Sequence, residues 1–186
     1  MLYFATHLGF YEMIDNIERL PVNPPKGYKL YPGGHFLSYN MSTEAYEKLA
    51  SAPDGEGIIT MTMDKERDHL YGITWPSGYF LHYDMKKDKM NNLGQISGNG
   101  DAGKVGEDYR VICRSIFVDD RDGLVYFSTS EGDIFSYDPS TSAKVEKVAG
   151  VDLRLDYFGK YDFTRPGTMS YNWRAIEWSP AEGVAY

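Results

Sequence analysis

The segment Ser115 to Pro139, SIFVDDRDGLVYFSTSEGDIFSYDP, recurs on both sides of itself, and this recurrence restricts the possible folds more than any other property of the chain. Moved back by about 55 residues it overlies TMTMDKERDHLYGITWPSGYFLHYDM, setting Asp119 on Asp64, Tyr126 on Tyr71, Gly132 on Gly78 and Tyr137-Asp138 on Tyr83-Asp84. Moved forward by about 60 residues, RSIFVDDRDGLVY overlies RAIEWSPAEGVAY, pairing Arg114 with Arg174, Gly123 with Gly183 and Tyr126 with Tyr186. Near the N-terminus, LYFATH repeats LYGITW and VYFSTS, while GHFLSYN repeats GYFLHYD and GDIFSYD. Self-similarity at roughly 40 to 55 residues, with several short strands per period, predicts an all-β chain: a β-propeller of four-stranded antiparallel blades.

The periods divide the chain into part of a first blade over 1–53, a second over 54–97, a third over 109–150 and the beginning of a fourth over 171–186. That amounts to about three to three and a half blades, whereas closed propellers usually hold four to eight. The expectation is therefore an incomplete fragment of a longer protein. Its unpaired sheet edges would leave it unstable or self-associating in isolation. The first residues open directly in a strand, with no basic stretch followed by the apolar run of a secretion signal.

Composition fits this fold and limits the partners. Aromatics make up 15% of the 186 residues, and 16 Tyr with 19 Gly favour strands and tight turns over helices. A net charge of −8 argues against broad attraction to nucleic acid or to an anionic membrane, although a local basic cluster stays compatible with it. No stretch approaches the ~18 apolar residues of a membrane span. The lone Cys113 lies in an apolar strand and reads as a small buried hydrophobe. No His/Cys spacing suggests a metal, and no cofactor is expected.

Along the chain, residues 10–33 form an excursion in which Met13, Ile14, Ile17 and Leu20 have helical spacing, predicting a short helix before Pro21. Residues 44–50 are ambiguous between helix and strand until the repeat sets Tyr46 and Leu49 on Val145 and Val148, which decides for strand. The second blade reads as strands over 57–63, 69–75, 79–85 and 89–96. The Gly-rich run 97–108 matches neither phosphate-binding fingerprint, and its Asp101 and Asp108 read as a solvated loop rather than a calcium site. Asp119, Asp120 and Asp122 lack EF-hand spacing and read as a hairpin turn. In the excursion 150–170, Tyr157, Phe158, Tyr161 and Phe163 are expected to pack down. The recurrent Tyr3, Tyr71, Tyr126 and Tyr186 read as core, because packing demands repetition and a single active site does not.

Blade topology sorts the polar residues. Strands run alternately up and down from the centre outward, so the long connections 8–33, 97–108 and 150–170 fall on one face. His7 ends a second strand on that face and His35 begins a third. Arg110, Arg114, Tyr171 and Arg174 begin innermost strands near the mouth of the channel, so six polar side chains converge from three blades. His7 stands where other copies have Trp75 and Ser130, and His35 where they have Tyr79 and Asp133, so the repeat itself requires neither histidine. His69 and His82 read as strand-surface residues.

The runs YFATHLGFY, PGGHFLSY, GEGIIT, LYGITWPSG and YRVICRS together resemble bacterial β-propeller proteins of mostly uncharacterised function, over nearly the whole chain. More distantly the chain is similar, in architecture and residue types, to propeller polysaccharide lyases of the ulvan and oligogalacturonate type. That resemblance implies a His/Tyr/Arg group performing β-elimination on a uronic-acid saccharide, with His7, His35, Tyr171 and Arg114 as the matching catalytic residues. Elimination across a uronate needs a cation for the charge developing on the carboxylate, a base for the C5 proton and an acid for the leaving oxygen. Arg114 or Arg174 suits the first role, and His7, His35 or Tyr171 the others. Arg174, Arg110, Trp75 and Tyr11 are the candidate substrate-binding residues, the aromatics being suited to stacking on sugar faces. The alternative is a non-catalytic propeller scaffold that binds a glycan or protein through its loop-bearing face, in which the arginines merely bridge blades.

Overall fold

The computed structural model describes residues 1–7, 12–14, 17–19, 23, 25–27, 32–96, 112–141, 144–154, 162 and 170–186, with the backbone alone for 12–14 and 17–19. The described residues are all-β apart from one 3-10 turn, Pro53–Gly55. Two four-stranded antiparallel sheets form the body of the molecule. The first contains β6 (Gly57–Asp64), β7 (His69–Trp75), β8 (Tyr79–Asp84) and β9 (Lys89–Gln95), and the second β10 (Phe117–Val118), β11 (Val125–Ser128), β12 (Asp133–Tyr137) and β13 (Glu146–Asp152). In both, sequential strands are spatial neighbours. They are flanked by a three-stranded sheet of β1 (Leu2–Ala5), β4 (His35–Asn40) and β5 (Ala45–Ser51), and by the hairpin β14 (Trp178–Ser179) and β15 (Val184–Ala185). Ala45–Ser51 is thus strand, as the repeat required, with Glu44 in the turn that precedes it.

A separate hairpin pairs β2 (Glu12–Ile14) with β3 (Ile17–Arg19), with Glu12 opposite Arg19 and Ile14 opposite Ile17. This corrects the expected helix. The spacing of Met13, Ile14 and Ile17 satisfied a helical period by coincidence of short length. Asp15-Asn16, two turn-forming residues between two β-rich triplets, carried the hairpin signal.

Alternation with period two decides how the sheets stack. On the β6–β9 sheet, Leu70, Leu81 and Tyr83 face the three-stranded sheet and pack with Phe36, Ala52 and Ile58. Tyr71, Ile73, Trp75 and Phe80 point the other way, into Ile112, Cys113, Val118, Val125, Phe127 and Tyr137 of the following sheet. The recurrent tyrosines obey the same rule: Tyr3 and Tyr71 face the next sheet in sequence, and Tyr126 stacks on Phe117, which stacks on Trp178. Their burial differs from the expected uniform core, however. Tyr71 is fully buried, Tyr3 and Tyr126 are half-buried, and Tyr186 is 71% exposed. Cys113 is buried as expected, its Sγ donating to the Ser115 carbonyl at 3.0 Å, and burial pushes its thiol pKa up.

The repeated polar residues prove to be turn devices. Asp64 Oδ1 accepts the backbone N–H groups of Glu66 and Arg67, and Asp119 Oδ1 accepts that of Arg121. Each carboxylate also binds the arginine it positions, Asp64 to Arg67 at 3.0 Å and Asp119 to Arg121 at 2.6 Å. Those arginines then lean on the next sheet, where the turn glycines Gly123 (φ +81°) and Gly183 (φ +65°) leave room: a Cβ there would lie 2.8 Å from Arg67 Cζ and 2.6 Å from Arg121 Nη1. The pairing of Gly123 with Gly183 in the repeat thus follows from an Asp–Arg strut repeated between sheets. Asn40, Asp84 and Asp138 cap the third strands by accepting N–H groups of Ser42, Lys87 and Ser140. The last two strands share a register shift in each of the three larger sheets, between Phe36 and Leu37, Tyr79 and Leu81, and Asp133 and Phe135.

Candidate functional site

Strand direction assigns the expected site residues to one end of the sheets. His7 follows β1, His35 opens β4, Arg114 precedes β10, and Tyr171 and Arg174 precede β14. This is the end at which β7 finishes and β8 begins. Backbone bonds tie the end together: Thr6 N–H donates to His35 O, Ile58 N–H to Thr6 O, Gly34 N–H to Glu56 O, and Tyr171 N–H to Ser130 O. Tyr11 and Arg110 lie outside the described residues, as do the run 97–108 and the aromatics Tyr157, Phe158, Tyr161 and Phe163.

Individually these side chains have different surroundings. The His7 ring is half-buried and meets the Trp75 ring edge-on, with centroids 5.6 Å apart. His35 is partly exposed, its Nδ1 engaged with Ser51 Oγ at 2.9 Å and its backbone N–H donating to Thr6 Oγ1. Partial burial, then the nearby Lys48 charge, lower the His35 pKa below its ordinary 6.5, so its imidazole is neutral at pH 7. Arg114 and Tyr171 are half-buried, and Arg174 is exposed. Trp75 departs from expectation. It is completely buried between the two four-stranded sheets, so it offers no ring face to a sugar and acts as core.

The rigid centre of this end is Glu56, a carboxylate only 5% exposed. It accepts from Thr74 Oγ1 at 3.0 Å, Ser77 N at 2.9 Å and Ser77 Oγ at 2.7 Å, while Thr74 Oγ1 accepts from Tyr79 N. One acidic side chain thereby holds the β7–β8 connection, satisfying donors that burial would otherwise leave unpaired. Sequence reading passed over Glu56 because its partners lie 18 and 21 residues away and no local pattern announces them.

At the opposite end, the two histidines expected on the surface are drawn inward. His82 is 4% exposed and His69 half-buried, with ring centroids 4.6 Å apart. His69 Nδ1 meets Tyr71 Oη and His82 Nδ1 meets Tyr137 Oη, both at 3.0 Å. Burial drives the His82 pKa down to about 4, with His69 beside it adding to the shift. Burial also lowers the pKa of His69, outweighing the Asp84 and Asp64 charges. Among the described residues no three His, Cys, Asp or Glu side chains gather as metal ligands would.

With this geometry in view, comparison with known proteins adds no identity: no protein-family model matches the chain, and no curated protein matches it.

Proposed function

We propose that the successive antiparallel sheets are blades of a β-propeller, and that the end bearing the long connections binds an acidic saccharide or comparable small anion. What supports the architecture is the face-to-face stacking of sheets in sequence order, each built outward strand by strand and joined to the next by the same aromatic face and Asp–Arg strut. The observation that carries the binding reading is the shared position of His7, His35, Arg114, Tyr171 and Arg174 at one end of those sheets. Polar side chains on strand ends over a rigid core are where such scaffolds hold ligands. Arg114 and Arg174 supply the cations that a carboxylate requires.

A β-elimination activity at that end is the second reading. It is favoured by His35, whose neutral imidazole at pH 7 has the protonation state a general base needs. Calorimetric titration of the chain with a panel of uronic-acid oligosaccharides tests both readings. Binding that Arg114→Ala abolishes without changing the circular dichroism supports the site, and growth of the ultraviolet absorbance of an unsaturated uronate product supports elimination. Absence of binding across the panel refutes the saccharide reading, and binding without product refutes the lyase reading.

A further inference from the structure

The cleft between the two four-stranded sheets, at the end away from the long connections, has the features of a second ligand site. Its volume is about 530 Å³, within the range of small-molecule pockets. Cross-strand register builds its floor in two rows. Tyr71, His82 and Asn91 stand side by side on β7, β8 and β9, and His69, Asp84 and Lys89 form the next row. Directly opposed residues share a face of an antiparallel sheet, so both rows look toward the following sheet. From there Tyr137 and Pro139 complete the wall.

Three observations distinguish this cleft from a gap left by diverging outer strands. The corresponding space between the three-stranded sheet and the β6–β9 sheet also exists, with a volume of about 390 Å³, and serves as an internal control. There the positions equivalent to His69 and His82 are Met1 and Ser38, and in the following sheet they are Leu124 and Ser136. Both histidines therefore interrupt the repeat where packing is satisfied by other residues.

The second observation is a buried polar atom. His82 Nε2 has no hydrogen-bond partner among the described residues, although the residue is only 4% exposed and its other ring nitrogen is held by Tyr137. An unmade hydrogen bond at such an atom is unfavourable, and a bound hydroxyl would satisfy it. With its lowered pKa the ring is neutral at pH 7, so it interacts by hydrogen bonding and not by charge.

The third is the sign of the charge. Asp84 is neutralised by Lys87, whose Nζ lies 2.7 Å from Oδ2. Lys89, opposite Asp84 on β9, makes no ion pair among the described residues and leaves the cleft with a net positive charge in a chain of net charge −8. Hydroxyl-recognising groups on the floor and an ammonium at the rim point to a ligand carrying both functions.

We propose that this cleft binds a small polyhydroxylated anion, its negative group against Lys89 and a hydroxyl on His82 Nε2, with the Asn91 amide beside it. Gluconate, sorbitol and acetate separate the required functions, since sorbitol keeps the hydroxyls without the charge and acetate the charge without the hydroxyls. Titrated into the chain and followed by the imidazole resonances of His82 and by calorimetry, gluconate should bind at least about tenfold more tightly than either control. Lys89→Ala, at an exposed position, and His82→Gln should each weaken gluconate about tenfold or more. Lys48→Ala, at an exposed lysine of the control cleft, should not. Equal affinity for all three probes overturns the proposal, as does a Lys89→Ala chain that binds gluconate like the unaltered one. Loss of binding in Arg114→Ala alone assigns the anion to the other end of the sheets and also overturns it.

Discussion

Acidification between pH 7 and about 4.5 should destabilise this chain mainly through His82, and the amount follows from its burial. The ordinary imidazole pKa is 6.5, and in the folded protein it is about 4, lowered first by desolvation and then by the neighbouring His69. Below pH 6.5 the unfolded chain takes up a proton that the folded chain refuses, so stability falls as pH falls. The fall continues until the pH reaches the folded-state value. At 1.36 kcal/mol per unit of pKa difference the full effect is about 3 kcal/mol, of which about 2.5 kcal/mol is expressed by pH 4.5. Asp84 and Lys87 also face the ring pair. For Asp84, burial raises the pKa but the Lys87 hydrogen bonds outweigh it and leave the net value lowered, so its own titration lies below the imidazole window. Asp119, Asp138 and Asp152 are likewise lowered, chiefly by hydrogen bonds from Arg121, Ser140 and Arg154, and their contributions are lost only as pH drops through the carboxylate range. The pKa values of His35 and His69 are also lowered by burial, so the readout is a difference. Urea unfolding of the unaltered chain and of His82→Gln, each at both pH values, should show the variant losing about 2–3 kcal/mol less on acidification. With a urea slope of about 1–3 kcal/mol/M, this is a differential midpoint shift of about 1 M. Parallel pH profiles for the two proteins would refute the reasoning, because they would mean that His82 is hydrated in the folded state.

Three further substitutions probe the frame around these ends. Glu56→Ala removes the acceptor of three hydrogen bonds at a buried position and should cost about 3 kcal/mol in urea unfolding, whereas a cost below about 1 kcal/mol would mean that water replaces the carboxylate. Gly72→Ala would put a methyl 2.9 Å from Phe36 Cζ and 3.0 Å from Ile58 Cγ2, between two packed sheets, and a loss of about 1–3 kcal/mol is expected; a neutral result would show that this interface is loose. Tyr137→Phe removes the hydroxyl holding His82 Nδ1 and should cost about 1–2 kcal/mol while leaving the circular dichroism spectrum unchanged.

Much of the fold was legible because it is local. The repeat aligned β6 to β8 with β10 to β12, and the matching polar runs that open at Asp64 and Asp119 marked turns that those two carboxylates now stabilise. Each of these signals spans only a few residues, within reach of backbone sterics and short hydrogen bonds. Met13, Ile14 and Ile17 misled because so few apolar residues fit a helical period and a pair of three-residue strands equally well.

The candidate sites were legible in position and not in environment. Strand order alone assigns His7, His35 and Arg114 to one end of their sheets. It cannot say that Trp75 is sealed against the next sheet, that Glu56 anchors a turn 21 residues away, or that His82 lies under Tyr137, 55 residues distant in sequence. The exception of His82 among serines at equivalent positions was visible in the chain, yet its meaning depends on which sheet covers that face. Residue order sets which side chains share a strand face. Only the stacking of one sheet on the next decides how much water each loses, and with it whether a histidine there is a solvated surface group or a buried neutral ring.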